Sequence, residues 1–231
     1  MSDAIKAGAI IAATAIGVGA IGGGDGHGPT SWTPEAWRDV VAPYASAFDL
    51  PLDFCIAWIR VESGGNPCAI GTPGAHGPDG NPRELGIAQL YNPDDFKALG
   101  IDATSLRAYC ARDTGACARG LSADEMDAHA RANVRLMARC RDRAETVLDT
   151  NGCGDWPTFD RACSWKLVHG LPGILMQGLP RVRAHLGRSP ASWHEFRVTI
   201  DDVTLDGGTE AYRGSFSRVF ANAENTAGSL R

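Results

Sequence analysis

The chain has 231 residues and a formal charge of −5 from 22 basic and 27 acidic side chains, with 44% hydrophobic and 21% charged residues. That balance excludes a mainly disordered protein, and at roughly 100–200 residues per domain it leaves room for one domain with appendages. The acidic excess argues against a protein whose main task is gripping nucleic-acid phosphates, which requires a basic face.

In chain order, the first feature is an uncharged run from Ala7 to Gly24 made of Ala, Gly, Ile, Val and Thr, between Lys6 and Asp25. Its length is near the roughly 17–25 residues of a bilayer-spanning helix, although its glycines weaken it as a span. Three readings compete. A secretory signal is disfavoured by the thin basic start and the lack of a small-x-small cleavage site. A membrane anchor fits a run in which Ala and Gly permit close helix approach with little hydrophobic drive. The third reading is an apolar helix docked on partner subunits. Residues 1–31 are therefore expected to form an apolar helical segment and linker, 32–200 the globular unit and 201–231 a C-terminal extension.

Pro34 to Phe48 carries Trp37, Val40, Val41 and Tyr44 at helical spacing, and Pro51 to Ser63 predicts a second helix. From Gly64 to Leu85 the Gly, Pro, Asn and Asp content predicts a long loop. Gly86 to Leu90 is a short apolar segment, and a short helix is expected after Asn92-Pro93, through Leu99. Ser122 and Glu125 have the form of a capping box. Met126, Ala130, Val134, Met137, Cys140, Ala144 and Val147 then keep a helical period, predicting the longest helix, to about Leu148. Trp156 to Val168, Ile174 to Leu186 and Ser192 to Val198 predict further helices, and Tyr212 to Phe220 a short last one. Val198 to Leu205 is the sole strand candidate, so the fold class is mainly α.

Seven cysteines, at 55, 68, 110, 117, 140, 153 and 163, are many for a reducing compartment. No Cys-x-x-Cys is present and the histidines are scattered, so disulfides are favoured over zinc, and no metal or cofactor is expected. Cys110 with Cys117 and Cys153 with Cys163 are candidate local bridges, and the odd count leaves a thiol over, with Cys55 expected to be buried.

The chemistry centres on Glu62. On a helix, Cys55, Trp58 and Ile59 precede it by seven, four and three residues, so the carboxyl follows an apolar stripe. Burial of that kind is expected to raise its pKa and keep a proton available for a leaving oxygen. Ser63-Gly64-Gly65 would stop the helix and leave Glu62 at its end. The alternative is an ordinary Glu exposed to water. Arg131, Arg135 and Arg139, at four-residue spacing, read as a solvated face.

The order Glu62-Ser63-Gly64-Gly65-Asn66-Pro67, then Gly86-Ile87-Ala88-Gln89, then a helix opening with Asn133-Val134, then Pro172-Gly173 resembles soluble lytic transglycosylases and goose-type lysozymes, from about Trp37 to Val182. The resemblance implies a lysozyme-like helical domain that cleaves the β-1,4 bond between N-acetylmuramic acid and N-acetylglucosamine in peptidoglycan. Glu62 matches the family's single catalytic acid and base, which yields a 1,6-anhydro product without consuming water. Ser63 matches the residue orienting that Glu, and Gln89 the Gln lining the saccharide groove. In the family's Ala-Tyr-Asn segment this chain has Leu167-Val168-His169. His169, in place of the Asn, retains hydrogen-bonding capacity, while Val168 replaces the Tyr. The stretch from Cys68 to Leu85 lengthens the gap to Gln89 and is expected to form a rim or lid. Within it Glu84 is a candidate second carboxylate, which would favour hydrolysis by water.

The resemblance implies glycan strands as partner, action in a phage virion or at a Gram-negative envelope, and membrane or assembly contact through residues 4–24, with no nucleic acid. The competing expectation is a non-catalytic glycan-binding or structural subunit of a virion or secretion assembly.

Overall fold

The computed structural model describes residues 32–69, 84–91, 93–99, 120–205 and 209–231, of which 93, 98 and 209–216 are described by backbone alone. The apolar run of residues 7–24, most of the long loop, and the Cys110–Cys117 pair lie outside the described residues. The architecture is mainly helical, and among the described residues no strand forms. The sole β-type pairing is an isolated antiparallel bridge between Leu85 and Leu90.

Thr33 caps a 3-10 turn, Pro34–Trp37, that leads into α1 (Arg38–Ala47). Helix α2 (Leu52–Ser63) buries Phe54 through Ile59 without a break, so its middle is enclosed on every side. It stops at Gly64, whose φ of 63° is left-handed and closes the last turn. Next comes the short α3 (Pro93–Ala98). Helix α4 (Ala123–Thr150) is the longest described and opens with the expected capping box, Ser122 Oγ accepting from the Glu125 N–H and Glu125 from the Ser122 N–H. Asn133, expected to open a helix, lies well inside α4, because the Ser122 cap sets the start.

Helix α5 (Thr158–Gly170) buries Ala162 through Val168 and packs between α4 on one side and α8 (Thr209–Ala227) on the other. Helix α6 (Pro172–Leu186) begins on Pro172 and ends at the left-handed Gly187. Ser192 caps α7 (Trp193–Thr199), and a 3-10 turn, Ile200–Asp202, continues it. The strand expected at Val198–Leu205 is therefore absent: Thr199 and Ile200 are buried at a helix end, and Val203 and Leu205 fill core positions after it.

The last helix is longer than expected. α8 packs on α5 and α2, with Phe220, Ala223 and Ala227 buried, so the segment after residue 200 shares the core of the unit before it. Trp193 ties this corner, edge-on to Phe220 at 5.5 Å and donating from Nε1 to Glu224 at 3.0 Å. Arg131, Arg135 and Arg139 are all exposed as expected, and Arg139 also reaches the buried Asp95 of α3 through two hydrogen bonds, of 3.1 and 2.6 Å.

Cys153 and Cys163 are free thiols, which overturns the expected bridge. Cys153 follows α4, with its sulfur toward the carbonyls of Asn151 and Pro190. Cys163 lies within α5, on the side electrostatically coupled to Glu224 and Arg231, so the two belong to different packing interfaces. Cys55 is buried and free, as expected, and Cys140 is also free. Cys68 is disulfide-bonded, to a partner outside the described residues. No described helix is long and apolar enough to cross a membrane.

Candidate active site

Glu62 occupies the last turn of α2, and the backbone there is held by two successive left-handed glycines. Gly65 has φ 95°, and a Cβ at this position would stand 2.4 Å from the Thr33 carbonyl carbon, so only glycine fits. Its carbonyl accepts from the indole N–H of the core residue Trp37 at 2.8 Å. Between the helix and these glycines, Ser63 Oγ donates to the Ile87 carbonyl at 2.9 Å and accepts from the Gly65 N–H at 3.0 Å. Ser63 thereby fastens the end of α2 to the 86–89 turn, without touching the Glu62 carboxylate through any described hydrogen bond.

That turn is fixed from a third direction. Asn133 is fully buried in α4, donates to the His129 carbonyl at 2.7 Å, and accepts from the Ala88 N–H at 2.9 Å. Gln89 adopts φ 57°, rare for a residue with a side chain and characteristic of constrained sites. Its amide donates to the carbonyls of Ala69 and Gly86 at 3.0 and 2.9 Å, and the residue is 5% exposed. The side chain expected to line a saccharide groove thus braces its own loop. What Gln89 offers the site is its carbonyl, 3.1 Å from His169 Nε2.

The carboxylate meets α5. Lys166 Nζ donates to Glu62 Oε1, and His169 Nδ1 lies 3.4 Å from the same oxygen. The two partners are one helical turn apart on α5, 3.5 Å from Nζ to Nδ1. Glu62 is 16% exposed and Lys166 only 4%. Lys166 Nζ also lies 4.8 Å from the centre of the Trp58 ring, on which His169 packs edge-on at 5.3 Å. Beneath this cluster Phe54 makes edge-to-face contacts with Trp58 at 5.5 Å and Trp165 at 5.4 Å, joining α2 to α5. Such pairs contribute about 0.5–1.5 kcal/mol each beyond area burial. The Trp58 Nε1–H is buried without a described hydrogen-bond partner. An unpaired buried donor costs about 1–3 kcal/mol.

This arrangement reverses the expected protonation of Glu62. Burial alone pushes its pKa up, as the apolar stripe implied, but the His169 hydrogen bond, the Lys166 charge and the Lys166 hydrogen bond outweigh it and hold the pKa down to about 2. At rest the group is a carboxylate paired with an ammonium. A carbonyl facing His169 Nε2 places a hydrogen on that nitrogen.

Of the residues singled out by sequence, the structure brings Glu62 and His169 together, sets Ser63 behind them, and turns the Gln89 amide away. Glu84 stands one residue before the Leu85–Leu90 bridge, half-buried, and among the described residues no hydrogen bond or ion pair joins it to the cluster. Val168, at the position of the family's Tyr, is buried. An aromatic ring reaches the site from elsewhere: Tyr91 is 46% exposed and lies tilted against His169 at 5.8 Å. Lys166 was the principal residue not anticipated. The available signal was a lysine one turn before His169 inside an otherwise apolar stretch. Among the described residues, no group of three His, Cys, Asp or Glu side chains is arranged to hold a metal ion. Compared with family models, curated proteins and solved structures, the chain matches none of them.

Proposed function

We propose that the chain is a peptidoglycan lytic transglycosylase with a lysozyme-like fold, in which Glu62 protonates the glycosidic oxygen between N-acetylmuramic acid and N-acetylglucosamine. As carboxylate, Glu62 then takes the proton of the muramic 6-hydroxyl, whose oxygen closes on the anomeric carbon to give the 1,6-anhydro product. The observation that carries this reading is the convergence of four segments far apart in sequence. Ser63 bonds Ile87, Ala88 bonds Asn133, and the Gln89 carbonyl meets His169, which contacts Glu62. These are the segments through which the sequence resembles that family, and their meeting around one partly exposed carboxylate is what a glycan-cleaving site of this kind needs. The reading carries with it action at a Gram-negative envelope or from a phage particle, with residues 4–24 as delivery or docking segment.

One observation favours a second reading. A carboxylate held ionised by a buried lysine is a poor proton donor in its resting form, which suits a glycan-binding subunit without turnover. Hydrolysis by water has less support, since Glu84 is not joined to the cluster. The test is digestion of purified peptidoglycan by wild type and Glu62→Gln with mass spectrometry of the products. Anhydro-muropeptides that vanish in the variant are expected. Reducing-end sugars indicate hydrolysis, and binding without any product indicates the non-catalytic role.

A further inference from the structure

The transglycosylase reading leaves a chemical question that the geometry answers. The reaction needs a proton at the leaving oxygen, and the resting carboxylate carries none. The nearest proton is on Lys166 Nζ, hydrogen-bonded to Glu62 Oε1 and nearly excluded from water. We propose that Lys166 is a positioning residue that charges Glu62 with the proton it delivers, so that the acid of this site is the Glu62–Lys166 pair and not a lone carboxyl group. The proposal rests on the transglycosylase reading.

The step balances without an outside reagent. When a glycan strand covers the site and water leaves, the local dielectric falls, and separated charges lose stability relative to a neutral pair. The proton moves from Nζ to the Glu62 carboxylate, leaving an amine and a carboxylic acid. Glu62 passes that proton to the glycosidic oxygen as the bond from this oxygen to the anomeric carbon breaks. The resulting carboxylate removes the proton of the 6-hydroxyl as its oxygen bonds the anomeric carbon, and that proton returns to Nζ. No net proton is consumed.

The surroundings suit a lysine that changes charge. His169 Nδ1 lies 3.5 Å from Nζ on the same helix and 3.4 Å from Glu62 Oε1, so it bridges both members of the pair. From α2 the Trp58 ring face stabilises the ammonium, and Glu62 is its counter-ion. From α4 the buried thiol of Cys140, whose pKa burial pushes up to about 12, interacts electrostatically with Lys166. Arg139, Arg143 and Asp95 interact electrostatically with both Cys140 and Tyr91, and Cys140 with Tyr91, at the same margin. Glu62 is the carboxylate within ion-pair reach of Nζ among the described residues.

The experiment compares the pH dependence of muropeptide release by wild type, Lys166→Arg and Lys166→Met. Arginine keeps the charge but does not give up its proton, so K166R is expected to lower kcat at least about 100-fold near neutral pH, the scale of general acid catalysis. Methionine removes the cation and leaves Glu62 to burial, so K166M is expected to stay active on the acid side, with the alkaline limb of kcat/KM moved at least one pH unit toward acid. A residue that only packed the site would lower kcat without moving the limb. Far-ultraviolet circular dichroism and urea unfolding establish that each variant is folded before its kinetics are read, and K166R, which keeps the cation, serves as the folded control for K166M. Wild-type turnover by K166R or an unmoved limb in K166M overturns the role of Lys166 while the transglycosylase reading stands. Absence of anhydro products from wild type removes both.

Discussion

Replacing Glu62 by glutamine tests whether the ionised pair at the end of α2 stabilises the fold as well as carrying chemistry. Lowering the carboxyl pKa from the ordinary 4.5 to about 2 corresponds to about 3 kcal/mol of stabilisation at neutral pH, since each unit is worth about 1.4 kcal/mol. The sign follows from the direction. A group whose folded pKa is depressed contributes fully above its unfolded pKa and loses the contribution as pH falls through the folded value. For Glu62 the loss runs from about pH 5 to below pH 2, leaving about 1 kcal/mol at pH 3. In E62Q the amide cannot supply the charge, and Lys166 is left buried without its counter-ion. Urea unfolding followed by far-ultraviolet circular dichroism is therefore expected to show E62Q less stable than wild type by about 3 kcal/mol at pH 7 and by about 1 kcal/mol at pH 3. Adding Lys166→Met to E62Q should recover part of the loss at pH 7, because it removes the stranded ammonium. An E62Q deficit as large at pH 3 as at pH 7 would refute the assignment of this stability to the ionised carboxylate.

Tyr91→Ala is expected to raise KM for glycan strands several-fold with a smaller effect on kcat, because Tyr91 offers an exposed ring beside His169 and does not reach Glu62; steady-state kinetics on purified peptidoglycan separates the two parameters. Gly65→Ala should destabilise the fold by about 1–3 kcal/mol or more, since it combines a left-handed φ with a clash against the Thr33 and Pro34 backbone, and the shift in urea midpoint reads the cost. Asn133→Ala should cost about 1–3 kcal/mol by leaving the Ala88 N–H buried without its acceptor, whereas Asn133→Asp, which keeps an acceptor oxygen, should retain more of the turn, as read by hydrogen exchange at Ala88. Cys55, Cys140, Cys153 and Cys163 should resist alkylation by iodoacetamide until the protein unfolds, because all four are buried and burial raises their pKa values; mass spectrometry counts the labels.

Features set by near neighbours were legible in the sequence. The Ser122–Glu125 box starts α4 because cap and partner lie three residues apart, and the Gly64-Gly65 pair ends α2 because few other residues take that backbone. The helices around Glu62 follow from apolar spacing. What was not legible depends on contacts between distant segments. The protonation of Glu62 was inferred from the stripe on its own helix, yet it is decided by His169 and Lys166 on the distant α5. Lysine inside a helix ordinarily reads as solvent-facing, and only the packing of α5 between α4 and α8 shows why this one is enclosed. The same packing explains why Val198 to Leu205, β-like in composition, ends a helix. Gln89 was assigned by residue type, but its left-handed backbone swings the amide back onto its own loop and presents the carbonyl instead.

The position of α8 has a consequence for how the site comes into being. The helix that carries Lys166 and His169 has one flank formed by a segment beginning at residue 209, and that segment also packs against α2, which ends at Glu62. Both halves of the acid–base pair therefore rely on α8, whose contacts with α2 close loops of well over a hundred residues, the slowest kind to form. α8 thus buttresses the spacing of α2 and α5 from one side, alongside the direct Phe54–Trp165 contact between them. A fragment ending before residue 209 is expected to keep much of its helix while losing part of the support that holds Glu62 against its partner. For a protein proposed to cut the cell wall, the full chemistry would thus come with the completed fold.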